Sequence, residues 1–146
     1  MKTAKYLWES GSIIIAVFGG IHIYYTFFTN NFSSRNEKMI GDMKTSFPNL
    51  TKQTTMWKAW IGFNASHSIG IIFIGIINFY LASRYFLILQ SSHFFFLFNI
   101  LTIGFYVWLA KKYYFKVPFI GISLTFVCFI ISYILVTINK GWYKKI

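Results

Sequence analysis

Acidic residues are almost missing from this chain. Glu9, Glu37 and Asp42 are the only three in 146 residues, and none falls within a long apolar run. This argues against carboxylate-rich metal sites and carboxylate proton relays. Cysteine is scarcer still. Cys128 alone allows no intrachain disulfide, zinc knuckle or CxxC redox pair. It lies in an apolar run with no cationic partner, so it reads as an inert small hydrophobe. There are two prolines, Pro48 within the polar stretch between the first two apolar runs and Pro118 at the start of the last run. Pro118 suits the first turn of a helix. No Walker loop, GxGxxG cradle, HExxH pair or basic-aromatic platform appears, so nucleic acid is not an expected partner.

What the chain does contain is apolar surface. It is 56% hydrophobic and 23% aromatic, with 12% charged residues. A soluble domain of this size cannot hide so much apolar surface. The charges gather in gaps between long apolar runs, as in a polytopic membrane protein. The net charge is +11. Its Lys and Arg residues flank those runs, so anionic lipid headgroups fit better than a polyanionic partner. The first apolar run shows no small-residue cleavage site and reads as a retained span. The bias toward Ile, Phe, Lys and Asn hints at an AT-rich bacterial genome, hence the bacterial cytoplasmic membrane.

The pattern predicts an all-α, integral membrane four-helix bundle of up-down-up-down topology, forming one transmembrane domain over residues 1–146. The predicted spans are residues 11–29, 56–81, 92–110 and 118–138. At about 1.5 Å per residue each can cross a core of about 30 Å. Trp8, Trp57, Trp60, Trp108 and Trp142 lie near predicted span ends, where aromatic belts form. Loop one, residues 30–55, is long for a helix connection. Ser34-x-x-Glu37 matches a capping box. Met39, Ile40 and Met43 then form one face of a short amphipathic helix, which Pro48 ends. Thr54 or Thr55 is the expected cap of span two. Such a loop is either a structured lid or a plain linker. Orientation does not follow from charge. Loops one and three with the start of span two carry eight Lys or Arg, against six on the other side.

Residues three and four apart share a helix face. Span one aligns Gly11, Ile15, Gly19, His22 and Thr26. Span two aligns Trp60, Asn64, His67, Ile71, Ile74 and Asn78. Span three aligns Ser92, Phe95, Asn99, Thr102, Tyr106 and Ala110. Span four aligns Gly121, Thr125, Cys128 and Ser132. Small and polar residues belong at helix contacts in lipid, so these stripes are expected to face inward. His22 and His67 fall at similar depth, roughly 10–15 Å below the loop-one surface by helix rise. Asn64, Asn99, Thr102 and Tyr106 lie nearby in depth. These six are the candidate ligand-binding residues. His93 is expected at the opposite interface.

Imidazole donates and accepts protons near neutral pH. His22 and His67 with Asn64 and Tyr106 suit the polar head of a small or amphipathic ligand. No nucleophile–base–orienter triad is evident, so whether the chain is an enzyme stays open. Two alternatives use the same histidines. One is haem b with axial His22 and His67, which needs the two spans to be diagonal because adjacent helices pack too closely for a porphyrin. The other is copper or zinc held by His22, His67 and Cys128, a weak ligand set without acids. A further alternative, from a different class, is a non-catalytic assembly subunit or oligomer whose polar stripes only join helices.

The run LTKQTTMWKAWIGFNASHSIG, residues 50–70, resembles a family of short four-span bacterial membrane proteins of unknown function sharing an MWxAWxGFNxSHS segment. Gly20-Ile21-His22 leading to Tyr25-Thr26, and the Ala110-Lys111-Lys112-Tyr113-Tyr114-Phe115 run before Pro118, are similar to that family too. The likeness covers nearly the whole chain. It implies a polytopic bacterial membrane protein and brings no catalytic residues with it. The arginine- and glutamate-rich span motif of membrane glutathione-transferase-like proteins is absent.

Overall fold

A computed structural model describes the backbone of residues 1–143 and the side chains of residues 1–139. The interfacial role expected of Trp142 lies outside the described side chains. The described chain is all helical. α1 spans Lys2–Phe28, α2 Glu37–Thr45, α3 Met56–Leu89, α4 His93–Tyr113 and α5 Lys116–Tyr143. Four of these, all but α2, are long and apolar enough to cross a membrane. By that measure the chain is a multi-pass membrane protein.

Helix ends follow local chemistry. Ser92 caps α4 by accepting from Phe95 N at 3.3 Å. Thr55 accepts from Lys58 N at 3.3 Å and caps α3, as expected. The capping box at Ser34 is corrected by two residues. Asn36 is the N-cap of α2, accepting from Lys38 N and Met39 N. Ser34 instead accepts from Asn36 N. Asn competes as well as Ser for this position, and here its amide oxygen reaches both free N–H groups. Pro118 sits in the first turn of α5. A non-helical residue, Tyr85, kinks α3 near its end.

The chain divides into two compact units. One comprises Met1–Phe18 with Ile72–Ile146, the other Gly19–Ile71. In the first, Trp8 is the centre. It is fully buried, stacked on Phe129 at 3.8 Å between ring centroids and edge-on to Phe96 at 4.5 Å. This corrects the expected interfacial placement of Trp8. α1 begins nine residues before the predicted span, and those residues form a packing surface with Ala4 and Trp8 inside it. Lys5 and Glu9 pair among these residues. Lys5 Nζ donates to Ser83 O at 2.9 Å and lies 3.7 Å from Glu9.

Polar bonds tie this unit together. Trp8 Nε1 donates to Asn78 Oδ1 at 3.0 Å. Asn78 Nδ2 donates to Asn99 Oδ1 at 2.7 Å, and Asn99 Nδ2 donates to Phe95 O at 2.9 Å. Ser132 Oγ donates to Ala4 O at 2.7 Å, and Thr125 Oγ1 to Gly11 O at 3.2 Å. Glycine matters most at Gly75. A Cβ there would stand 2.7 Å from both Ala16 Cβ and Ser12 O, so α1 and α3 approach closely. The contacts Lys5–Ser83, Trp8–Asn78 and Ser12–Gly75 fall in opposite order along α1 and α3. The α5 contacts Gly11–Thr125 and Ala4–Ser132 do the same.

The inward stripes are largely as expected. Gly11, Ile15, Gly19, Thr26, Asn64, Ile71, Asn78, Asn99, Thr125 and Ser132 are all buried. α4 is rotated slightly from its expected face. Its buried residues are Phe96, Asn99, Ile103 and Ala110, because Phe96 packs on Trp8. His93 is exposed, with Nδ1 3.1 Å from the Tyr133 hydroxyl.

Candidate functional site

The second unit brings His22, Asn64 and His67 together. α1 contributes His22, Tyr25 and Thr26 from one face. α3 contributes Trp60, Asn64 and His67, again at spacings of three and four. His22 Nε2 lies 3.0 Å from Asn64 Oδ1. An amide oxygen only accepts, so this bond requires the imidazole to carry a proton at Nε2. Asn64 Nδ2 donates back to Trp60 O at 2.9 Å, which fixes the amide's orientation. Thr26 Oγ1 donates to His22 O at 2.8 Å. The His22 and His67 rings meet edge to face, 5.6 Å between centroids.

Aromatic rings surround the pair. Phe32 returns from loop one to lie 4.5 Å from the His22 ring and 5.9 Å from Tyr25. Phe63 stacks along His67 at 6.4 Å. The only ion pair among the described residues, Lys5–Glu9, lies in the other unit. The contacts of this cluster are hydrogen bonds and ring contacts.

An open cavity of about 200 Å³ adjoins the cluster. Its walls include Tyr25, Thr26, Trp57, Trp60 and Asn64, with the turn containing Phe32 closing one side. Neither His22 nor His67 lines it. Asn64 is the residue common to the cavity and the histidine pair. The open space thus runs from Asn64 toward the start of α3, not between the imidazoles. Loop one is structured. Its α2 helix is tied back to α3, with Met56 N donating to Ser46 O at 2.9 Å and Lys44 Nζ 5.6 Å over the Trp57 ring. The loop-one residues at the cavity are Asn30, Phe32 and Ser33, while α2 itself does not line it.

Asn99, Thr102 and Tyr106 belong to the first unit. Asn99 is engaged by Asn78 and Phe95 O. Thr102 Oγ1 donates to its own helix at Phe98 O, 2.8 Å away. Tyr106 is half-buried. Sequence reasoning missed Phe32, Tyr25 and Thr26 as site residues. The NNFSS stretch, one aromatic among polar residues, was the available signal for Phe32.

The arrangement does not suit a haem shared by His22 and His67. Axial ligation aims two imidazole nitrogens at one iron with a porphyrin plane between them. Here the rings make direct edge contact, and His22 Nε2 is spent on Asn64. Nor do three His, Cys, Asp or Glu side chains gather as metal ligands among the described residues. Scans against protein-family models, curated proteins and solved structures each returned no match.

Proposed function

We propose that this protein is a bacterial cytoplasmic-membrane protein that binds a small or amphipathic ligand at the Asn64 end of the His22–Asn64–His67 cluster. Its four apolar helices cross the bilayer up-down-up-down, a reading supported by the opposite order of the α1–α3 and α1–α5 contacts. The observation that carries the ligand reading is the position of Asn64. It lines an open cavity and is also locked by hydrogen bonds to His22 and Trp60. A polar side chain held in one orientation at a cavity wall is how pockets fix a ligand's orientation. The family likeness of residues 50–70 accords with this, because the shared segment supplies Trp57, Trp60, Asn64 and His67.

Native mass spectrometry of protein extracted from bacterial membranes tests the reading. A discrete bound adduct is expected, weakened or lost in Asn64→Ala while the helical content is kept. An unliganded spectrum for the unaltered protein under gentle extraction rejects it. A second reading, that polar residues only join helices, is favoured for the first unit by the mutual bonding of Trp8, Asn78 and Asn99. It applies to Asn99, and Thr102 bonds only within its own helix.

A further inference from the structure

The cavity's chemistry narrows the class of head group it takes, given the ligand-site reading above. First, the Thr26 and Thr29 hydroxyl hydrogens at its wall are already committed, while Tyr25, Ser33, Asn30, Trp57 and Trp60 bring donor groups to the same lining. Thr26 Oγ1 donates to His22 O, and Thr29 Oγ1 donates to Tyr25 O at 3.1 Å. These oxygens therefore offer lone pairs to a ligand, not protons. Asn64 keeps one amide hydrogen and one lone pair beyond its two bonds. Acceptors and donors thus stand together at the wall with no cation among them, which suits a ligand that both donates and accepts better than phosphate, sulfate or carboxylate, which only accept.

Second, among the described residues no Asp, Glu, Lys, Arg or His side chain lines the cavity. Burying an unpaired charge there is costly. A cationic head meets a further penalty, since Lys44 Nζ already stands 5.6 Å over the Trp57 ring at the wall. Third, Trp57, Trp60 and Tyr25 supply flat apolar faces beside the acceptors. Aromatic rings offer a large apolar surface to the C–H face of a ring or chain. Last, about 200 Å³ is smaller than the pockets of about 300–1,000 Å³ that enclose drug-sized ligands. One head group fits, with any tail left outside.

We infer that the cavity binds a neutral, hydroxyl-rich head group, a sugar or polyol, laid against Trp57 and Trp60 and donating its hydroxyls to Thr26, Thr29 and Asn64. An uncharged ligand that both donates and accepts hydrogen bonds satisfies all four observations.

The test uses the full chain in lipid nanodiscs, titrated with three probes of equal tail: hexyl β-glucoside, hexyl phosphate and hexyltrimethylammonium. Tryptophan emission reports binding. Hexyl glucoside is expected to give a saturable change, with apparent Kd at least tenfold below either charged probe. Trp60→Ala and Thr26→Val are expected to raise that Kd at least fivefold, while Trp60→Phe keeps it within about threefold. Lys44→Gln, at an exposed position, is expected to narrow the gap to the ammonium probe and leave the glucoside unchanged. Tighter saturable binding of a charged probe overturns the neutral head group and leaves the ligand site standing. Absence of saturable binding by all three, in protein that retains its native adduct, also overturns it. The same absence in protein with no adduct removes both readings.

Discussion

Asn78 serves three helices with one side chain, so its loss is felt at two partners. Asn78→Leu leaves the Trp8 N–H and the Asn99 carbonyl oxygen without their bonds inside a packed core. Orphaned buried groups cost about 1–3 kcal/mol each in water-soluble proteins, while interhelical bonds in lipid average about 0.6 kcal/mol. A loss of about 1–3 kcal/mol in total is expected from reversible unfolding in mixed micelles. The Asn78→Leu/Asn99→Leu pair should cost less than the sum of its singles, because the two amides no longer orphan each other. Strict additivity would contradict the relay. Gly75→Leu is expected to be more damaging than either. Its Cβ alone would stand 2.7 Å from the Ser12 backbone oxygen, which cannot rotate away as a side chain can. Here the outcome to look for is loss of a single monodisperse species on size exclusion.

Helix α2 shows how an element is set by its cap more than by its burial. None of its nine residues is buried, so little tertiary packing holds it. Isolated helices this short are marginal, and the Asn36 cap and the tether at Ser46 gain weight accordingly. Asn36→Ala is expected to cost about 1 kcal/mol of local stability and to speed amide exchange at Lys38 and Met39 about fivefold. Ser34→Ala should leave those amides nearly unchanged; equal effects would restore Ser34 as the cap. The existence of this helix was legible from the break at Pro48 and the polar residues before Glu37. Its starting residue was not, since Ser34 and Asn36 both carry a capping oxygen and only backbone geometry decides between them. Long helices show the same division. Apolar length announces α3 and α4, but periodicity cannot say that α1 starts at Lys2, because Lys5 and Glu9 read as loop charges until they pair. Trp8 misled for the same reason. A tryptophan near a span end fits an aromatic belt, and only the distant Asn78 and Phe129 explain its burial. The His22–Asn64–His67 cluster was visible because depth along two helices is additive in residue number. The cavity beside it was not, since Phe32 reaches the site from a loop with no periodicity to extrapolate.

For the molecule, the proposed topology makes a direct prediction. With Cys128→Ser as background, cysteines placed at Leu50 and Tyr114 should label with an impermeant thiol reagent from one face of sealed vesicles. A cysteine at Gln90 should label only from the other. Leu50 is 94% exposed, so reagent access does not limit that position. Labelling of Leu50 and Gln90 positions from one face would remove the up-down-up-down arrangement. The bonds that close the first unit also set an order in time. Ala4 receives its hydrogen bond from Ser132, 128 residues later in the chain, and Trp8 meets Asn78 after 70. At roughly 5–20 residues synthesised per second, α1 resides in the bilayer for on the order of ten seconds before its last partner emerges. For the earlier part of that interval, until Asn78 emerges 70 residues after Trp8, the indole N–H of Trp8 has only lipid, water or the insertion machinery to satisfy it. Nascent chains halted before α3 has emerged should therefore be held by insertases or cleared by membrane proteases, whereas chains halted after α5 should not.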